Sequence, residues 1–100
     1  MIKVIRTDFK ERTIRKTRGY PREKIIPAHY ECSYRYGNLE IAHYDSRYDV
    51  LDLRSDYISK DFSKSKYERA LEGEYKDAYK FLFDMLGADS TTHFSEYTYA

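Results

Sequence analysis

The sequence is short of the residues and runs that mark several large classes of protein. Its 100 residues include no tryptophan, one cysteine, two prolines and four glycines. One cysteine forms no internal disulfide, so a small secreted disulfide scaffold is excluded. We therefore expect the protein in the cytoplasm, and the cytoplasm of an infected host cell is one such location. Charges interrupt every apolar stretch and the first residues do not resemble a signal peptide. We therefore expect neither a membrane helix nor a membrane partner.

The motifs of common catalytic and metal sites are missing as well. The four glycines are widely separated and form neither a dinucleotide-binding pattern nor a P-loop. No Cys-x-x-Cys, His-x-x-x-His, EF-hand loop or Gly-x-Ser-x-Gly turn occurs. The sequence therefore predicts no catalytic residue, no metal ligand and no cofactor, and it favours a protein that is not an enzyme.

Charge is unevenly distributed along a chain that we predict to be a single domain over residues 1–100. Residues 1–24 carry nine basic and three acidic side chains, a net charge of +6, whereas residues 25–100 have a net charge of −5. Basic side chains neutralise phosphates and an aromatic ring stacks on an unpaired base. The predicted binding residues all lie in segment 10–24: Arg12, Arg15, Arg18, Tyr20, Arg22 and Lys24.

Alternation of residue type predicts a central β-hairpin, 26–36 with 39–45. Between 26 and 36 the even positions are apolar or aromatic and most odd ones, including His29 and Glu31, are polar, and Gly37-Asn38 suits a two-residue turn. That turn sets the predicted pairing: Tyr36 with Leu39, Arg35 with Glu40, Tyr34 with Ile41, Ser33 with Ala42, and Cys32 with His43. In this register Cys32 and His43 meet on the core face, where we interpret both as packing residues.

The predicted fold class is α+β, with an antiparallel sheet of four or five short strands against one long C-terminal helix. Short strands are expected near 1–6, 12–18 and 48–54. Apolar residues at spacings of three and four predict the helix at about 64–86, with a terminating Gly87. Its N-cap is either Ser65, which begins a capping box, or Ser63, which would form a hydrophobic staple between Phe62 and Tyr67. Residues 88–100 are expected to form a flexible tail or an edge strand.

Three functions are compatible with these features. Because tyrosine and arginine favour interface hot spots, the sequence favours a small protein-interaction module, and association alone suggests a phage or mobile-element accessory protein that inhibits a host factor. The first alternative is a nucleic-acid-binding protein that uses segment 10–24. The second is a small nuclease-type enzyme whose site is assembled only in space. A homodimer through an exposed strand edge is compatible with all three.

Overall fold

In the computed structural model of the chain, residues 1–15, 18–19 and 22–95 are described. The predicted α+β class is confirmed, because a four-stranded antiparallel sheet and a two-stranded ribbon precede helices at the C-terminal end. The strands are β1 (Ile2–Phe9), β2 (Arg12–Ile14), β3 (Lys24–Ile26), β4 (His29–Tyr36), β5 (Leu39–Asp45) and β6 (Val50–Leu53). A short 3-10 turn at Ser55–Tyr57 leads to α1 (Lys66–Ala70) and α2 (Lys76–Leu86).

The ribbon extends one strand pair of the sheet. The sheet order is β1-β4-β5-β6, and β1 pairs with β4 along its whole length, from Ile2 opposite Tyr36 to Phe9 opposite His29. Beyond this pair, the strand that follows β1 in the sequence (β2) pairs with the strand that precedes β4 (β3). Pro27 lies between the two ladders, and a residue without an amide donor interrupts a hydrogen-bonded strand. The β2–β3 ribbon therefore leads away from the end of the β1–β4 pair.

The hairpin contains a bulge in β5, and its observed register therefore differs from the predicted one. Next to the turn, Tyr36 pairs with Leu39 and Arg35 with Glu40, as predicted. The register then shifts between Tyr34 and Arg35. The observed pairs are Tyr34 with Ala42, Ser33 with His43 and Cys32 with Tyr44, so the predicted pairs Tyr34–Ile41, Ser33–Ala42 and Cys32–His43 are wrong. Ile41 is the extra residue of the bulge.

Buried contacts explain why the bulge forms at this residue. Ile41 and Ala42 are adjacent in sequence and both are fully buried, which strict alternation of side chains does not allow. The carbonyl oxygen of Ile41 accepts hydrogen bonds from the Tyr79 hydroxyl at 2.8 Å and from the Arg54 amide at 3.0 Å. The Tyr79 side chain of α2 and the Arg54 amide, directly after β6, thus hold the bulge in place.

The core lies between one face of the sheet and α2. Ala78, Tyr79, Leu82 and Phe83 are the buried residues of α2, at the spacing of one helix face. They belong to one cluster with sheet residues that include Cys32, Tyr34, Ala42 and Leu53. Gly87 ends α2 in the left-handed conformation with φ of 68°, as its position in the sequence predicts.

The C-terminal helical segment is interrupted, whereas the sequence predicts one helix at about 64–86. Ser65 caps α1 and its side chain accepts a hydrogen bond from the Glu68 amide, but residues 71–75 between α1 and α2 are not α-helical. Gly73 lies in this interruption, where an added Cβ would be 2.9 Å from the carbonyl oxygen of Tyr57. The close approach of the 57–59 backbone accounts for glycine at this position.

The end of the described chain contacts the edge of the sheet. Phe94 is buried and forms an isolated parallel bridge with Leu51 of β6. The Ser95 amide donates a hydrogen bond to the Leu51 carbonyl at 3.1 Å, and the remainder of the predicted tail, 96–100, lies outside the described residues. None of the helices in the described part of the chain has the length and apolar composition needed to cross a lipid bilayer.

Candidate functional site

The predicted basic residues lie along the ribbon and its connecting loop. Arg12 begins β2 and Lys24 begins β3, whereas Arg15, Arg18 and Arg22 lie between the two strands. All five side chains are exposed, and Tyr20, the sixth predicted residue, lies outside the described residues. Among the residues that the structure describes, none of the five forms an ion pair with a carboxylate.

One face of the ribbon brings two of these cations together. The register places Arg12 opposite Ile26 and Ile14 opposite Lys24. Residues directly opposite each other, and residues two apart on one strand, point to the same side. Arg12 and Lys24 therefore share a face. Arg15, Arg18 and Arg22 lie outside the paired part of the ribbon, so the register does not assign them to that face.

The Arg12 side of the ribbon continues into a pocket of about 150 Å³ at the ribbon's base. The residues that line it are Phe9, Lys10, Arg12, Ile26, His29, Glu31 and Arg47. His29 and Glu31 belong to β4, and they alternate with Cys32 and the other core residues of that strand. They therefore face away from α2, on the side of the sheet that the helices leave open. We call this the ribbon-base pocket.

His29 is held firmly in the wall of the ribbon-base pocket. Its ring stacks on Phe9, with centroids 4.8 Å apart and planes 10° from parallel, and its side chain is only 5% exposed. Nδ1 lies 3.0 Å from the Pro27 carbonyl oxygen, and Nε2 lies 3.2 Å from Oε2 of Glu31. A carbonyl oxygen only accepts, so Nδ1 carries a proton.

Glu31 lies between two imidazoles. Its second oxygen, Oε1, is 2.9 Å from Nε2 of His43, so each carboxylate oxygen contacts a different histidine. The bulge makes this possible, because it places His43 opposite Ser33 and takes it off the core face predicted from the sequence. Cys32 and His43 therefore point to opposite sides of the sheet, and Cys32 remains a buried core residue.

Asp45 and Arg47 form a tight ion pair beside these groups. The Arg47 guanidinium donates to both carboxylate oxygens of Asp45, at distances from 2.6 to 3.2 Å, and the Arg47 amide also donates at 3.0 Å. The side-chain hydrogen bond from Arg47 is the main cause that holds the pKa of Asp45 below its ordinary value of 3.8, against the opposing effect of burial. Arg47 is thereby oriented as a fixed positive charge at the pocket.

Donor atoms of His29, Glu31 and Asp45 all lie within 4.8 Å of one another, a spacing that a metal ion could use. Asp45 already has a cation in direct contact, however, and the positive charge of Arg47 would repel a second one. With Lys10 and Arg12 also at the wall, the pocket is better suited to an anion. Imidazole and carboxylate side chains are also the types that proteins most often use as general acids and bases.

The ribbon cations, including Arg12 at the pocket wall, are predictable from the sequence, whereas the histidines and carboxylate of the pocket are not. His29 and Glu31 were expected on the polar side of the hairpin, with no chemistry assigned to them. His43 was expected on the other side. The adjacent apolar pair Ile41–Ala42 was the available signal, because two neighbouring buried residues in a strand require a bulge.

Comparison with known protein families, curated proteins and solved structures finds no match to this chain. The interpretation of the ribbon and the ribbon-base pocket therefore depends on their own chemistry. That chemistry combines exposed cations with a recessed group of proton donors and acceptors.

Proposed function

We propose that the protein binds a single strand of nucleic acid along the Arg12 and Lys24 face of the ribbon and into the ribbon-base pocket. The observation that carries the proposal is the continuity between this face and the pocket, since Arg12 belongs to both. A flexible strand can follow the ribbon and then place one phosphate in a pocket of about 150 Å³. The cations at the pocket wall would neutralise it there.

The expected binding is largely electrostatic. Lys10, Arg12 and Lys24 are three cations on the proposed path, whereas the charge of Arg47 is largely neutralised by its ion pair with Asp45. Each phosphate contact on a single strand contributes about 0.7 to the slope of log affinity against log salt, so three contacts predict a slope of about −2. The net charge of +6 in residues 1–24 would also attract the strand from a distance, despite the acidic remainder of the chain.

The test is fluorescence anisotropy of a labelled single-stranded oligonucleotide, titrated at several salt concentrations. The double variant Arg12→Ala/Lys24→Ala should weaken binding and reduce the slope by about 1.4, the contribution of two phosphate contacts. The matched control is Lys76→Ala/Lys80→Ala, which removes the same charge from exposed positions of α2 and should leave the slope unchanged. Absence of binding at about 50 mM salt, where phosphate contacts are strongest, would sink the proposal.

A protein-binding function is the second candidate, and a different part of the molecule supports it. β1 is an edge strand of eight residues, and Val4 and Ile5 on it are 45% and 42% exposed. Such an edge offers unpaired backbone groups to a strand of another protein. If the protein inhibits a host factor, as the sequence favours, the β1 edge is the surface to which that host factor would bind, and a second copy of the chain would use the same edge.

The two candidates are separated by one substitution. Ile5→Glu adds a charge to the β1 edge and should abolish stoichiometric co-purification of a protein partner, or dimerisation seen by light scattering. It should leave oligonucleotide binding by the ribbon intact. A partner that is retained by Ile5→Glu but lost by Arg12→Ala/Lys24→Ala would move the protein-binding surface to the ribbon instead.

A further inference from the structure

We propose that the ribbon-base pocket cleaves RNA by general acid–base catalysis, with Glu31 as the base and His29 as the acid. The inference rests on the proposed nucleic-acid binding and adds a substrate class and a reaction to it. It uses groups that the sequence left without a function. Glu31 and His29 are both in the pocket wall, and their side chains are joined by a 3.2 Å hydrogen bond.

The proposed reaction needs no reactant beyond the RNA itself. Glu31 removes the proton of a ribose 2′-hydroxyl, and that oxygen attacks the adjacent phosphorus. The bond from phosphorus to the 5′-oxygen breaks, and Nε2 of His29 delivers a proton to the leaving oxygen. The products are a 2′,3′-cyclic phosphate and a free 5′-hydroxyl. The proton gained by Glu31 then returns to His29 along their hydrogen bond, which restores both groups.

The contacts of His29 suit the role of the acid. Nδ1 donates to the Pro27 carbonyl oxygen and Nε2 lies against the Glu31 carboxylate, so the ring is placed to receive a proton from Glu31 and to deliver one at Nε2. Stacking on Phe9 fixes the direction of Nε2, and a fixed donor loses little entropy in the reaction.

The cations of the pocket wall suit the transition state. Negative charge accumulates on the phosphate oxygens when the 2′-oxygen attacks, and Lys10, Arg12 and Arg47 line the same pocket. Arg47 is held by its hydrogen bonds to Asp45, so its charge is already oriented before the substrate arrives. The requirement for a 2′-hydroxyl selects RNA over DNA in the reaction, although both carry the phosphates that the ribbon binds.

His43 is a positioning residue in this scheme. Its Nε2 contacts Oε1 of Glu31, the oxygen that His29 does not use, and it does not line the pocket. A glutamine at this position can still donate a hydrogen bond to Glu31, whereas alanine cannot. His43→Ala is therefore expected to lower kcat with little change in KM, and His43→Gln is expected to recover part of kcat. A purely structural role would not distinguish the two variants in this way.

The main experiment compares an RNA oligonucleotide with its all-2′-deoxy analogue. The wild-type protein should bind both, cleave only the RNA, and leave a 2′,3′-cyclic phosphate at the new end, with no effect of EDTA. Glu31→Gln and His29→Gln should each reduce kcat by about 10²–10⁴-fold. Glu31 is partly exposed, so Glu31→Gln tests the proposal even where loss of the buried His29 prevents folding. His93→Gln, purified in the same way, removes the third histidine and should retain full activity.

The other outcomes overturn the inference in distinguishable ways. Binding of both oligonucleotides without cleavage refutes the reaction and leaves the proposed binding function in place. Absence of binding at low salt refutes both. Cleavage that EDTA abolishes assigns the reaction to a bound metal ion, and cleavage that persists in Glu31→Gln and His29→Gln assigns it to a contaminating nuclease. Cleavage of the all-2′-deoxy strand excludes attack by the 2′-oxygen.

Discussion

Replacing Tyr79 by phenylalanine tests whether the helix determines the geometry of the ribbon-base pocket. The Tyr79 ring is fully buried, and its hydroxyl donates to the carbonyl oxygen of Ile41 at 2.8 Å. Ile41 is the extra residue of the bulge that puts His43 beside Glu31. Burial raises the pKa of the Tyr79 phenol, so the hydroxyl remains a donor at ordinary pH. Tyr79→Phe removes this hydrogen bond, together with a longer contact of the same hydroxyl to the Arg54 carbonyl oxygen at 3.5 Å, and keeps the packing of the ring.

The expected loss of unfolding free energy in Tyr79→Phe depends on which hydrogen bonds the Ile41 carbonyl oxygen keeps. A buried hydrogen bond contributes a net of about 1 kcal/mol, and an acceptor left with no partner would cost about 1–3 kcal/mol. The Ile41 oxygen still accepts from the Arg54 amide at 3.0 Å, so the acceptor is not left empty and the lower figure applies. A loss of about 1 kcal/mol lowers Tm by roughly 4–8 °C in a domain of this size.

Urea unfolding followed by far-UV circular dichroism measures this loss, with the slope on urea unchanged because the surface buried is the same. Tyr67→Phe is the matched control. Its ring stacks on Phe83 in the same cluster, and its hydroxyl has no hydrogen bond within the part of the chain described. Its cost should stay within about 0.5 kcal/mol. Equal losses in the two variants would refute the assigned role of the Tyr79 hydroxyl.

The same variant carries a second measurement. If the Tyr79 bond holds the bulge, the imidazole signals of His43 in NMR spectra should shift or broaden in Tyr79→Phe and stay unchanged in Tyr67→Phe. A destabilised Tyr79→Phe with unaltered His43 signals would show that the bulge forms without the helix. The link proposed between the core and the pocket would then be wrong.

Three further predictions concern single positions. Gly73→Ala should destabilise the protein by about 1–3 kcal/mol in thermal unfolding, because its Cβ would lie 2.9 Å from a backbone carbonyl oxygen, whereas Gly19→Ala has open space and should stay within about 0.5 kcal/mol. The pKa of Asp45 is lowered in the folded state, so the stability that its ionised form contributes is complete above the unfolded pKa of 3.8 and is lost as pH falls through the folded pKa. In urea unfolding at a series of pH values, Arg47→Met should therefore lose less free energy of unfolding between neutral and acid pH than the wild type does. Ser65→Ala removes the cap of α1 and should cost about 1 kcal/mol in urea unfolding.

Local features of the fold were predictable because neighbouring residues decide them. The Gly37-Asn38 turn and the two pairs beside it match the predicted hairpin, and Gly87 ends α2 where the sequence places a terminating glycine. Of the two caps that the sequence offers, Ser63 and Ser65, the structure uses Ser65. Each depends on the backbone preference or hydrogen bonding of a few consecutive residues, so contacts from distant parts of the chain do not override them.

The bulge and the break in the C-terminal helix depend on distant contacts and were not predicted. Tyr79 is 38 residues from the Ile41 carbonyl that it contacts, and the backbone at 57–59 approaches Gly73 from a separate turn. An alternation pattern assumes that a strand keeps its phase, and a spacing pattern assumes that a helix is continuous. Neither assumption includes a partner from elsewhere in the fold.

The residues of the candidate site also divide into those that the sequence predicts and those that only the tertiary structure identifies. The scarcity of cysteine and glycine and the absence of motifs excluded a disulfide scaffold and the common phosphate-binding and metal-binding sites. The cluster of positive charge near the N-terminus identified Arg12 and Lys24 as candidate binding residues. Only the tertiary structure brought His43 to the side of His29 and Glu31, because a one-residue bulge moves every following side chain of β5 to the other face. Composition is a property of the chain, whereas the phase of a strand is set by the core against which it packs.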